Sequence, residues 1–319
     1  MYCIIERHFI LIILAFSAVA MLEPSCFTWL KPYITLLLGI ILFGIGFTLD
    51  STTVKKTLER RWTIFFAIMA RYLLMPTAAY LIGKVLQLST MELIGLVILG
   101  TCPGGTAANV MSYLSRGNIA LTVILTFGTT LLAPFAMPTL VYFFLHEEIN
   151  VPYWGMLTNI LLVVFIPLAI VIFVKKYCDK FSKRLIDVFP TISIFAISLA
   201  IACIIALSQE KIRAFPFWII SAVLLLNLAG YFFGFLISKS LHCNPPEQKS
   251  ILFEFGMFDA ALGIIIATHF FGPVAALPSA FLSIIQNITA SAFVRIFRYT
   301  KYHSKDRGSA SAAGLILDE

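Results

Sequence analysis

The sequence predicts an all-α polytopic membrane protein: ten transmembrane helices forming two inverted five-helix repeats, with the fourth and ninth helices broken. Three observations carry that expectation. The 319-residue chain is 60% hydrophobic and 12% charged, where a soluble domain carries about 25% charged residues, and its mean hydropathy is +0.95. Polar punctuation cuts it into apolar runs of about 20 residues, enough to cross a hydrocarbon core of about 30 Å. Two of those runs hold residues that an unbroken lipid-facing helix does not accommodate.

In chain order the spans are expected at 8–22, 32–49, 62–86, 90–114, 118–145, 152–174, 188–207, 215–238, 247–270 and 273–298. The first follows Arg7, and FILIILAFSAVA also has the form of a signal peptide. It is read as a retained helix because ten spans put two similar halves in register. The third carries Arg71 nine residues from its start, about 14 Å along a helix and so near the midplane. The fourth contains TCPGGTAAN (101–109), with Pro103, Gly104 and Gly105 in succession. Proline removes a backbone donor and clashes with the preceding turn, and each glycine costs about 1 kcal/mol in a helix interior. The fifth holds Thr122 and Thr126, four apart on one helix face, and Thr129 and Thr130, whose hydroxyls are expected to bond back to their own helix.

The ninth span opens with Asn244, Pro245, Pro246 and Glu247, the pattern of a capped helix start. It then places Glu254 and Asp259 five residues apart, about 140° around a helix, in an otherwise apolar stretch, LFEFGMFDAALGI. An unbroken helix does not keep both acids off lipid; a break near Gly256 does. Irregular backbone at membrane depth must be buried in protein or line a cavity, and breaks at corresponding places in two halves point to a transporter site. Here each break falls in the fourth helix of its five-helix half.

Charge fixes the topology. Of the 23 Lys and Arg residues, Arg71 lies within a span, and Lys31, Lys84, Lys211 and Arg213 lie at one set of span ends. The other 18 lie at the opposite set or in the tails. That asymmetry is the positive-inside pattern and places both termini in the cytoplasm, in a cell (inner) membrane protein. The net charge of +7 therefore sets orientation in the lipid bilayer and is not a nucleic-acid footprint. Six scattered cysteines show no metal or redox spacing.

Glu254, Asp259 and Arg71 are the ionisable residues placed deeply, and a charge there costs at least about 2.5–3.5 kcal/mol unless it faces the interior and is paired. A purely structural Arg–carboxylate pair is one reading. The other adds the oxygen donors Thr106, Asn109, Thr122 and Thr126 to Glu254 as a cage for a hard cation such as Na⁺. The half-helices after the breaks would then point partially positive N-termini at an anionic group.

At these residues the sequence closely resembles the bile acid:sodium symporter family, over nearly the whole chain. The carrying segments are GTCPGGTAANVMSYLSRGNIALTVILT (100–126) and FEFGMFDAALG (253–263), supported by LPSAFLSIIQNITAS (277–291) and LLNLAGYFFG (225–234). The resemblance implies two inverted repeats divided into a panel domain and a core domain, with the broken helices crossing in the core beside two sodium ions. It also implies import of organic anions such as bile acids, pantothenate-like compounds or keto acids. Carried over by position, the first sodium site falls on Ala108, Asn109, Thr122, Thr126 and Glu254, with alanine at 108 where the family usually has serine. The second site falls on Arg71, Glu254, Phe255, Met257 and Phe258. Two family glutamines are replaced there, by Arg71 and Phe258, and the usual asparagine next along is Asp259. The expectation is that the Arg71 guanidinium takes the place of the second Na⁺ and neutralises Glu254 or Asp259.

The function expected is secondary active symport of a small organic anion by alternating access, coupled to at most one Na⁺. Thr106, Asp259 and Asn287 are the expected substrate contacts. A Na⁺-independent or proton-coupled carrier is the alternative; a channel or a non-transporting receptor is less favoured. An intramembrane protease lacks framed aspartates or a Ser/His pair, so no enzyme is expected. The expected division is one transporter domain, 1–302, with repeats 1–149 and 150–302, and a disordered tail at 303–319. The unit is expected to function as a monomer.

Overall fold

The computed structural model describes residues 15–33, 60–177 and 217–314, with gaps at 17, 106 and 148, and scattered positions between 192 and 209. Within 167–177 and 298–314 it describes the backbone alone. The described residues are helical, in keeping with a polytopic membrane protein. After a helical turn at Ser25–Thr28 come α1 (Arg61–Val85), α2 (Thr90–Thr101), α3 (Ala107–Leu114), α4 (Ile119–Leu145), α5 (Tyr153–Tyr177), α6 (Phe217–Ser240), α7 (Pro245–Gly256), α8 (Ala260–Phe271) and α9 (Pro273–Gly314). Arg61–Val85, Ile119–Leu145, Phe217–Ser240 and Pro273–Phe297 are long and apolar enough to cross a membrane. Most of the spans at 8–22, 32–49 and 188–207 lies outside the described residues, as do residues 315–319 of the tail.

The fourth span divides into α2 and α3, and the ninth into α7 and α8. Their first halves are alike. Each has 12 residues and each starts from a capping box: Ser89 with Glu92 for α2, Asn244 with Glu247 for α7. A capping box satisfies the orphan N–H groups of a first turn, so both half-helices have well-defined starts. Each ends in an extended residue, Cys102 with ψ 144° and Met257 with ψ 127°. Pro103 cannot donate a hydrogen bond, which explains the first stop.

The second stop has another cause. Gly256 is the last residue of α7, and the extended segment is Met257–Phe258. A Cβ on Gly256 would lie 2.2 Å from the Tyr231 ring, so the glycine serves the close approach of α6 rather than the break itself. Farther along the same contact, a Cβ on Gly230 would lie 2.4 Å from the Phe255 carbonyl oxygen. Small residues let membrane helices come this near, and α6 thereby holds α7 in place.

Candidate functional site

The two extended segments meet as antiparallel backbone. Gly104 pairs with Phe258 in a single bridge. The Gly105 amide donates to the Met257 carbonyl at 3.1 Å, and the Asp259 amide donates to the Pro103 carbonyl at 2.9 Å. Backbone groups that the breaks release from their own helices thus satisfy one another at membrane depth, as burial requires. A clamp from α9 completes the pairing. Gln286 accepts from the Phe258 amide at 3.0 Å and donates to the Phe258 carbonyl at 3.3 Å.

Glu254 lies in the last turn of α7 with its carboxylate turned onto the crossing. Thr126 donates to one oxygen at 2.7 Å and Thr129 to the other at 3.3 Å, both from α4. Gly104 leaves the space: a Cβ there would fall 1.8 Å from Glu254 Oε1. Thr129 also accepts from the Gly104 amide at 3.2 Å, and its single hydroxyl hydrogen is shared between Glu254 and the Leu125 carbonyl of its own helix. It is therefore a bridge between the first break and the acid, which its expected self-bonding did not suggest. Thr130 does bond back, to the Thr126 carbonyl.

Thr122 stands one turn from Thr126, and its hydroxyl donates to Ser112 at 2.9 Å. Ser112 in turn lies 3.0 Å from Ser250, so a buried hydroxyl cluster joins α3, α4 and α7 beside the acid. Asn109, in the first turn of α3, carries a buried Oδ1 with no hydrogen-bond partner. Ala108 beside it is fully buried and offers no side-chain oxygen. The Glu254 carboxylate and the α4 hydroxyls thus bring oxygen atoms together at the crossing, the donor type that suits a hard cation.

Arg71 reaches the crossing from α1 and is 1% exposed. It donates to the Glu254 carbonyl, to the Cys102 carbonyl at 3.2 Å and to the Met257 carbonyl at 3.5 Å. Its Cζ lies 4.8 Å from the centre of the Phe258 ring. The expected neutralisation of a carboxylate thus takes a different form. The guanidinium is held by backbone oxygens at the ends of α2 and α7, and among the described residues no ion pair joins it to Glu254 or Asp259. Phe255 is fully buried, and its carbonyl is where Gly230 approaches.

Asp259 caps α8, accepting from the Leu262 amide at 3.2 Å. Asn287 is buried, and its amide donates to Ser283 in its own helix at 2.7 Å. The neighbouring Gln286, not Asn287, has the hydrogen bonds to the crossing. Thr106 lies outside the described residues. Asn227 on α6 was not expected here. It donates to the Gly256 carbonyl at 2.7 Å and accepts from Thr289, capping the end of α7 from the other side.

Comparison with known proteins agrees in one direction. The model of the Sodium Bile acid symporter family matches residues 35–215. The "Uncharacterized sodium-dependent transporter YocS" of Bacillus subtilis is 34% identical over 300 residues, covering 94% of this chain and 93% of that protein. The "Probable sodium/metabolite cotransporter BASS1, chloroplastic" of Arabidopsis thaliana is 31% identical over 280 residues, covering 87% of this chain and 70% of its own. BASS2 of Oryza sativa subsp. japonica, with the same cotransporter description, is 29% identical over 293 residues, covering 91% and 70%.

Proposed function

The chain belongs to the Sodium Bile acid symporter family, and on that premise we propose that it imports a small organic anion by Na⁺-coupled alternating access. The observation that carries the reading is the antiparallel crossing of two helix breaks with a buried, hydroxyl-held carboxylate turned onto it. The sodium-dependent and sodium/metabolite cotransporter descriptions of the relatives support the same chemistry. This family is a transporter family, and the reading requires no enzymatic step.

Na⁺ binds as a co-substrate at the first site. The Glu254 carboxylate supplies the charge, and Asn109 Oδ1, otherwise buried without a partner, supplies a neutral ligand. Thr126 and Thr122 frame the same face of α4, and Ala108 contributes backbone alone. No more than one Na⁺ is coupled, because Arg71 and Phe258 stand where a second ion would need oxygen ligands. The substrate anion binds at the start of α3, with Thr106 and the backbone amides that follow the Gly104-Gly105 break as its ligands. Asp259 borders it from the other segment, and Asn287 lies one turn beyond the Ser283 it bonds.

The ten spans form two inverted repeats, 1–149 and 150–302, whose core rocks against a panel of the remaining helices. The matched 12-residue half-helices and their capping boxes support this repeat. Both termini face the cytoplasm, as the distribution of basic residues requires. The test is uptake of a series of small organic acids into proteoliposomes, with and without an inward Na⁺ gradient. Na⁺-stimulated accumulation of at least one acid, lost in Glu254→Gln, is expected; uptake that ignores Na⁺ would favour the ion-independent or proton-coupled carrier.

A further inference from the structure

We infer that the transported acid also carries a cationic group, so that the substrate is a zwitterion of amino-acid type whose cation faces Asp259. The inference rests on the transport reading and names the substrate class for the same site.

Asp259 is 7% exposed, and among the described residues no cation pairs with it. The sequence offers no second candidate. Of the 23 Lys and Arg residues, Arg71 alone lies deep within a span, and its guanidinium is engaged by the carbonyls of Cys102, Glu254 and Met257. Asp259 is the N-cap of α8, accepting from the Leu262 amide. Capping does not call for the charge, because asparagine caps a helix as well as aspartate does. The α8 N-terminus carries about +0.5 elementary charge, so it offsets only part of the carboxylate.

Charge balance gives the sign of the missing group. Glu254, Arg71 and Asp259 are the deep ionisable residues, one cation against two anions. One Na⁺ beside Glu254 brings their sum to zero. A monoanion added to that site leaves a net negative charge at membrane depth, where an unpaired charge is costly. A zwitterion leaves the sum at zero and supplies Asp259 with its counter-charge.

The crossing also sets the spacing. The Asp259 amide pairs with the Pro103 carbonyl and the Gly105 amide with the Met257 carbonyl, so the two pairs lie at opposite ends of the bridge. Two residues of extended chain separate them by about 7 Å. With the carboxylate of the ligand at the start of α3 and its cation at Asp259, one small amino acid covers that distance, since each charged group reaches its partner through a hydrogen bond of about 2.9 Å.

The test follows the melting temperature of the full-length protein in detergent with Na⁺, titrated with acids paired by the presence or absence of one amino group: alanine with propionate, 4-aminobutyrate with butyrate. At least one amino acid is expected to raise the wild-type melting temperature in a saturable way, with its amine-free partner binding at least tenfold more weakly. Asp259→Asn retains a capping side chain and is expected to melt with wild type in the absence of ligand. It should nevertheless bind that amino acid at least tenfold more weakly and the amine-free acid no more weakly than wild type does. A wild type that favours the amine-free members, a response to none of the four, or an unchanged preference in Asp259→Asn would overturn the inference. Should Asp259→Asn not fold, the wild-type pairs decide. Na⁺-driven uptake of amine-free acids alone would overturn this inference and keep the transport reading, whereas amino-acid binding that ignores Na⁺ would overturn the coupling and leave the inference standing.

Discussion

The Thr126 hydroxyl lies 2.7 Å from a Glu254 carboxylate oxygen, across 128 residues of sequence and at the point where two broken helices cross. That bond joins α4, an unbroken helix, to the last turn of α7. Thr129, one turn along α4, contacts the same carboxylate and the Gly104 amide of the first break. A hydrogen bond to a charged group contributes about 1.5–3 kcal/mol. Thr126→Val is accordingly expected to lower stability by about that amount, and to weaken Na⁺ affinity more than Thr129→Val, whose contact to Glu254 is the longer 3.3 Å. Denaturation in detergent and Na⁺ titration check the order; equal effects would separate Thr126 from the ion site.

Gly104 and Gly256 make space for different partners, and their alanine variants should fail differently. In Gly104→Ala the new methyl meets the Glu254 carboxylate at 1.8 Å, so Na⁺ binding is expected to fall by at least tenfold. In Gly256→Ala it meets the Tyr231 ring at 2.2 Å. There the expected effect is on folding, with overpacking costing about 1–3 kcal/mol, and Gly256→Ala/Tyr231→Leu should recover much of it. Melting temperature and Na⁺ titration of the three variants separate the two cases.

Gln286 and Asn287 are neighbours with unequal roles. Gln286→Leu removes both bonds to the Phe258 peptide, leaving a buried donor and acceptor at about 1–3 kcal/mol each. Asn287→Leu removes a bond within one helix. The first variant is expected to lose both stability and uptake. The second should keep stability, and a change confined to the KM for the transported acid would mark Asn287 as a substrate contact.

Much of this arrangement was legible in the sequence. Hydropathy located α1, α4 and α6 to within about two residues, and Pro103-Gly104-Gly105 marked the first break because its backbone chemistry forbids a helix. Asn244-Pro245-Pro246-Glu247 marked the start of α7 for the same kind of reason. The second break was harder, since Met257 and Phe258 carry no breaker signal, and its extended form depends on pairing with residues 103–105. Thr129 has the residue type and position of a self-bonding threonine, yet its hydroxyl is also shared with Gly104 and Glu254. Choosing Gln286 over Asn287 requires the rotation of α9 about its axis, which an apolar helix with scattered polar residues does not reveal. Arg71 donates to the backbone carbonyls of Cys102, Glu254 and Met257, an arrangement that side-chain charges alone do not reveal.

A Phe258→Gln/Arg71→Gln double variant removes the ring and the fixed cation while supplying amide oxygens beside the Met257 and Cys102 carbonyls. It is expected to acquire a second Na⁺-dependent increment in melting temperature that wild type lacks. A single increment in both would show that these two positions do not set the ion count.

Equilibrium binding of radioactive Na⁺ to the purified protein tests the central claim most directly, because it needs no knowledge of the substrate. One Na⁺ bound per chain is expected, abolished by Glu254→Gln. Two ions per chain, or one that survives loss of the Glu254 charge, would contradict it.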